Sequence, residues 1–105
     1  VTKLEAHPYS LETFEPVKGT LLIFTAAPES PDTIEAFLLD KPVCIHKNVW
    51  HEVMVLSDEA EIKLTENYVI EGTKYHELNN PIEPGVLTRH ESGMLVEGKD
   101  GRITI

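Results

Sequence analysis

The sequence predicts a small all-β domain, a sandwich or barrel, and three observations carry that reading. Apolar residues come in short runs between turn formers, one stretch alternates with a period of two, and one segment has the marks of a β-hairpin. The chain has 105 residues, 41% hydrophobic and 26% charged, enough for one core and too few for two. Seven prolines and six glycines are spread along it without repeat, linker or low-complexity tract, so residues 1–105 read as a single domain.

Each element follows from its local pattern. Glu5 and His7 are two apart, so on a strand they point to one face. Leu21 to Phe24 is a short apolar run of strand length. Ser30 as N-cap, Pro31, Asp32, Ile34, Phe37 and Leu38 could open a helix, which Pro42 would limit to about ten residues. A single turn followed by a strand from Ile34 to Leu39 explains the same residues and agrees with the short strands elsewhere. Val53 to Leu56 is a further apolar strand, with His51 at its entrance, and Ala60, Ile62 and Leu64 alternate as a half-buried strand does. Met94 to Ile105 reads as two strands joined through Gly98, Lys99, Asp100 and Gly101, where Asp-Gly supplies the positive backbone angles of a tight turn.

Charge and composition exclude several functions. Nine Lys plus Arg against eighteen Asp plus Glu give a formal charge of -9, the wrong sign for holding phosphate backbones, so nucleic acid is not an expected partner. No apolar run approaches the roughly twenty residues that cross a bilayer, and Val1 opens neither a basic n-region nor an Arg-rich presequence. The expectation is a soluble, cytoplasmic protein without membrane contact. One cysteine, Cys44, allows neither an internal disulfide nor a CxxC pair; between Val43 and Ile45 it reads as a small buried hydrophobe. The five histidines are left as the residues to watch.

Two constellations could carry chemistry. The first is Glu5, His7, Glu12 and Gly19, spaced Glu-x-His-x4-Glu-x6-Gly. The second is His46-Lys47-Asn48-Val49-Trp50-His51, a turn-forming Lys-Asn pair that leads into an aromatic residue and a second histidine. If Glu5, His7, Glu12 and His51 converge, they offer two imidazoles and two carboxylates, a donor set that suits zinc, manganese, iron or nickel without choosing among them. The plainer alternative is that His7, ahead of Pro8, turns the chain while the glutamates stay solvated. His46 and His51 are five apart and converge only if the chain turns at Lys47-Asn48; otherwise His46 is a surface or interface residue. Trp50 reads as core or pocket wall, and His76 and His90 as surface or loop.

The first constellation resembles the first cupin motif, Gly-x5-His-x-His-x3-4-Glu-x6-Gly, with Glu5 at the first histidine position and no glycine six residues ahead of it. Asn48 to His51 resembles the second, Pro-x-Gly-x2-His. A closer resemblance is to the ureidoglycolate lyases, cupin-fold proteins also called ureidoglycolate hydrolases. Their Glu-Arg-His-Pro, a Gln five residues on, then Phe-x-Pro and Gly, is similar to Glu5-Ala6-His7-Pro8 followed by Glu12, Phe14, Pro16, Lys18 and Gly19. Their Pro-Asp-x4-Phe resembles Pro31, Asp32 and Phe37, and their His-x-x-x-Trp-His resembles His46, Trp50 and His51. Order and spacing hold over residues 4–56 and more loosely to Gly72. The departures are Ala6 for the family's Arg, Glu12 for its Gln, Glu52 for its second His, Ile45 for its Tyr, the segment after Gly72, which does not resemble the family, and the family region expected ahead of Glu5, which finds no counterpart in the residues read.

The resemblance implies a cupin jelly-roll barrel, a homodimer, and cleavage of ureidoglycolate to glyoxylate and urea by acid–base elimination. On that footing His7, His51 and Glu12 are the expected catalytic residues, and Glu5, Lys18, His46 and Trp50 the expected substrate-binding ones. His7, Glu12 and His51 are the candidate ligands of one divalent ion. Ala6 removes a cation from the motif, and Lys18 and Lys47 are its nearest substitutes in sequence. The competing expectation is a small-molecule-binding or regulatory cupin without catalysis, whose mark would be an aliphatic pocket.

Overall fold

The fold comes from a computed structural model, which describes residues 1–66 and 72–82 in full and three later strands by their backbone. Eleven strands are seen: β1 Lys3–Ala6, β2 Glu12–Lys18, β3 Leu21–Ala26, β4 Glu35–Leu38, β5 Val43–Ile45, β6 Trp50–Val55, β7 Glu61–Glu66, β8 Lys74–Glu77, β9 Leu87–His90, β10 Gly93–Glu97 and β11 Arg102–Thr104. Among the described residues there is no helix. Ser30 to Leu39 is a turn and a strand as expected: Ser30 N–H donates to Ala27, Thr33 N–H donates to Ser30, and β4 begins at Glu35. The expected terminal hairpin is present as its two strands, Glu97 opposite Arg102 and Val96 opposite Ile103. Its turn, Gly98 to Gly101, lies outside the described residues.

The strands form antiparallel sheets ordered β4-β3-β6-β1-β8, β5-β2-β7 and β11-β10-β9. Among the described residues each order is linear and no pairing closes a barrel. The first two sheets face each other as a sandwich. Phe14 of β2, Ile45 of β5 and Ile62 of β7 pack against Leu21 and Ile23 of β3 and Val53 of β6. The opposite face of the five-stranded sheet carries a second core, in which Leu4, Leu22, Phe24, Ala26, Ala36 and Met54 pack with Ile82. The continuous apolar run of β3 follows from this. Leu21 and Ile23 serve one core while Leu22, Phe24 and Ala26 serve the other, so both parities must be apolar.

Two local features fix the frame. The strand β2 carries Pro16 beside a register shift against β7, where a residue without an N–H is tolerated. Gly19 closes the turn from β2 to β3 with φ +87, and a Cβ there would collide with the Glu59 carbonyl oxygen.

One sequence expectation is corrected. Cys44 is exposed, because alternation along Val43-Cys44-Ile45 turns Ile45 into the core and Cys44 outward. His76 lies at the surface, on β8, where its partly exposed ring bonds Asp32 Oδ1 at 2.8 Å. His90 falls on β9, where only the backbone is described.

Candidate functional site

Strand pairing brings the two constellations together. Glu5 of β1 stands opposite His51 of β6, and the chain carries His7 on from β1 toward the sandwich interior. Glu12 opens β2 in the facing sheet. One nitrogen or oxygen from each of Glu5, His7, Glu12 and His51 lies within 4.8 Å of all the others. His51 is 1% exposed, Glu12 4% and His7 8%, which is unusual for polar groups and demands partners.

Glu12 sits between the two rings. Its Oε2 is 3.0 Å from His7 Nε2 and its Oε1 3.5 Å from His51 Nε2, while Glu5 Oε1 is 3.7 and 3.8 Å from the same nitrogens. None of these approaches has hydrogen-bond direction, so both buried Nε2 atoms remain without a hydrogen bond. The other ring nitrogens are engaged. His51 Nδ1 is 3.0 Å from the Val49 carbonyl, and a carbonyl only accepts, so Nδ1 carries the proton and Nε2 the lone pair in the neutral ring. His7 Nδ1 is 3.0 Å from Thr73 Oγ1. The ring centroids are 5.1 Å apart, and Phe14 closes the apolar side of His51 with an edge contact at 5.7 Å.

Burial pushes the Glu12 carboxyl above its usual range. The imidazoles of His51 and His7 pull it down, and the carboxylates of Glu66 and Glu5 add to the rise.

The turn at Lys47-Asn48 holds this arrangement. Val49 N–H donates to the His46 carbonyl, and Asn48 takes φ +65, which asparagine tolerates better than most residues. Asn48 N–H donates to the His7 carbonyl at 2.9 Å, and Val49 supplies the carbonyl that orients His51. The turn thus organises both histidines without bringing in His46, whose side chain is exposed.

The remaining expected residues lie elsewhere. Lys18 is at the far end of β2 and pairs with Glu59 at 3.0 Å. Trp50 is half-buried on the opposite face of the sheet from His51, its Nε1 donating to the Pro28 carbonyl. Glu66, which sequence reasoning missed, joins the cluster: its Oε2 is 3.8 Å from His7 Nε2 and accepts from Ser10 Oγ. It shares the parity of Ala60, Ile62 and Leu64, a signal legible only once β7 is known to lie beside β2, with Glu66 opposite Glu12.

Two buried imidazoles, the buried Glu12 and the partly exposed carboxylates of Glu5 and Glu66 make a β-sandwich protein with groups able to take up and give protons or to act as cation donors. The family model for ureidoglycolate lyase matches residues 1–91, which corrects the expectation that the segment after Gly72 is unlike the family. The chain belongs to that family. No curated protein matches it significantly.

Proposed function

We propose that this protein is a carbon–nitrogen lyase of the ureidoglycolate lyase type, on a cupin jelly roll, that cleaves ureidoglycolate or a related small carbonyl-derived compound. The observation that carries the reading is the pair of buried Nε2 atoms without hydrogen bonds, bridged by Glu12. The elimination takes the proton from the substrate hydroxyl, forms the aldehyde C=O, breaks the C–N bond and delivers a proton to the departing urea nitrogen. Proton removal and delivery balance. His51 Nε2, its tautomer set by Val49, is the base, and His7 is the acid. Glu12 reaches both rings, and its raised proton affinity suits it to return the proton from one to the other.

The same atoms fit a divalent ion. Two imidazole Nε2 atoms and two carboxylates, one ring oriented by a backbone carbonyl, are the donors that zinc, manganese, iron or nickel would take at His7, Glu12 and His51, with Glu5 as a fourth. When bound, the ion would supply the positive charge that a carboxylate substrate needs beside three glutamates. With the ion held, both imidazoles would be engaged through Nε2, and Glu66, held by Ser10, would be the neighbouring carboxylate left to carry a proton.

A binding-only relative would need no ordered polar set, and the density of ionisable groups here supports the enzymatic reading. Exposed Val17 and Leu64 on the β5-β2-β7 sheet support a homodimer, which we place in the cytoplasm; sedimentation as a monomer at micromolar concentration would count against the pairing. The deciding experiment is incubation of the pure protein with ureidoglycolate while glyoxylate is followed, with and without added metal. Release above background is expected, and none under any condition removes the proposal.

A further inference from the structure

The cluster meets solvent at its two less buried carboxylates, Glu5 with 31% of its side chain exposed and Glu66 with 23%. Glu5 thus stands at the mouth, and strand geometry sets what surrounds it. Lys3 is two residues back on β1, so it leaves the sheet on the same face, about 7 Å along the strand. Across the pairing, Tyr75 of β8 stands opposite Glu5, and Glu77 opposite Lys3. This edge is open: Tyr75 is 56% exposed, and Lys3 and Glu77 are exposed as well. The Lys3 ammonium lies over the Tyr75 ring, 4.5 Å from its centroid, and among the described residues it sits on no carboxylate. Because Tyr75 faces Glu5, that seat leans the lysine toward the mouth and away from Glu77.

We propose that Lys3, seated on Tyr75, is the residue that selects for a carboxylate on the substrate at the mouth of the cluster. The inference rests on the proposed reaction, whose substrate brings a carboxylate beside Glu5, Glu12 and Glu66 and so needs a cation there. Strand parity leaves one lysine for the task among the described residues. Ala6 opposes Lys74, one step out of phase with Glu5 and Tyr75, so both project from the other face. An arginine in place of Ala6 would therefore point away from the cluster. Lys47 lines a cavity with Ala6 and Trp50 on that same side. Lys18 is held by Glu59 at the far end of β2, and Lys41 follows Asp40, which borders Lys18 and Gly19. Lys63 opposes Glu15, out of phase with the core residue Phe14, so it faces outward. The Tyr75 ring attracts the ammonium but carries no net charge, so it positions Lys3 without neutralising it.

Binding and turnover test this separately. Oxamate, a small carboxylate that cannot undergo the elimination, and oxamide, its neutral counterpart, are titrated calorimetrically into the chelator-treated full chain. Oxamate should bind saturably and oxamide about tenfold more weakly or less. Lys3→Gln should weaken oxamate about tenfold and leave oxamide unchanged, while Lys3→Arg should stay within about twofold of the parent. Tyr75→Leu should loosen oxamate about threefold, and Tyr75→Phe, which keeps the ring, should not. Lys63→Gln removes the same charge from the outer face and should titrate like the parent. In turnover, Lys3→Gln should raise the KM for ureidoglycolate about tenfold with kcat within about twofold. No saturable oxamate heat, a heat indifferent to Lys3→Gln, or an equal loss in Lys63→Gln overturns the proposal. Glyoxylate release with an unchanged KM in Lys3→Gln overturns it too and spares the lyase reading. No glyoxylate from the parent, with oxamate still held through Lys3, would fell the lyase reading and leave the carboxylate seat.

Discussion

The two faces of β1 and β6 differ in chemistry although their residues are neighbours in sequence. Toward β2, Glu5, His7 and His51 join Glu12 and Glu66 in an acidic, imidazole-bearing cluster. On the other side, Ala6 and Trp50, each next in sequence to a cluster residue, line a cavity with Lys47 and Lys74. The pleat does the sorting, since successive side chains on a strand leave on opposite faces. Two short motifs thereby build environments of opposite sign a sheet's thickness apart. One turn touches both: Asn48 gives its N–H to His7 on one side and lines the cavity on the other, while Val49 orients His51.

The largest expected effect breaks this comparison if it fails. His51→Ala and Glu12→Gln should each lower glyoxylate release by about 100- to 10,000-fold, the span of general acid–base catalysis. Trp50→Phe, one residue away on the other face, should leave the rate within the same order. Equal losses at Trp50 and His51 would mean that one site spans the sheet.

Next in size is the response of stability to pH, which separates a proton from a metal as the cluster's occupant. Burial raises the proton affinity of Glu12 in the folded chain above its ordinary value of 4.5. The folded state then binds more protons than the unfolded one, so this group's stabilisation is complete below the unfolded value and lost as pH rises through the folded one. In chelator-treated protein Glu12→Gln should match the parent in acid and become the more stable of the two toward neutrality, measured by urea unfolding. Added zinc or manganese should reverse that order at neutral pH by stabilising the parent, by about 2.7 kcal/mol at a hundred times Kd. The metal effect should fade in acid as the imidazoles protonate. A parent indifferent to both ions would leave the cluster a proton-transfer site.

Much of this was legible in the sequence, and what was not has physical reasons. Short apolar runs marked β3, β4, β6 and β7, because burial on a strand leaves a period of two or an unbroken run. Glu5, His7, Glu12 and His51 were legible as a group through motif spacing. Glu66 was not, since its membership depends on β7 pairing with β2, a contact between residues more than fifty apart. Cys44 was misread because burial depends on which parity of β5 faces inward, and its apolar neighbours Val43 and Ile45 gave the opposite impression. Lys74 and Trp50 met in one cavity only through the order β6-β1-β8, which no local pattern encodes.

A smaller effect sharpens the role of the turn. Asn48→Ala places an ordinary side chain at φ +65 and should cost about 1–2 kcal/mol in urea unfolding, whereas Asn48→Gly keeps the backbone conformation and should cost less. Glycine preserves the N–H to His7 and so the rate of glyoxylate release. If glycine abolished the reaction, the turn would serve the cluster through the Asn48 side chain instead of its backbone.

The smallest expected effect belongs to Lys18, which sequence reasoning placed near the substrate. Glu12 and Lys18 are the two ends of β2, and six residues of extended chain separate them by about 20 Å. The Lys18 ammonium is instead 3.0 Å from Glu59, with both side chains largely exposed. Such pairs are screened by water and contribute about 0–1 kcal/mol. Lys18→Ala should therefore shift urea unfolding by no more than that and leave the KM for ureidoglycolate unchanged. A raised KM with unaltered stability would instead show that a lysine at the far end of β2 reaches the substrate, and the counter-charge would have to be sought along the strand rather than at Lys3 or in a bound ion.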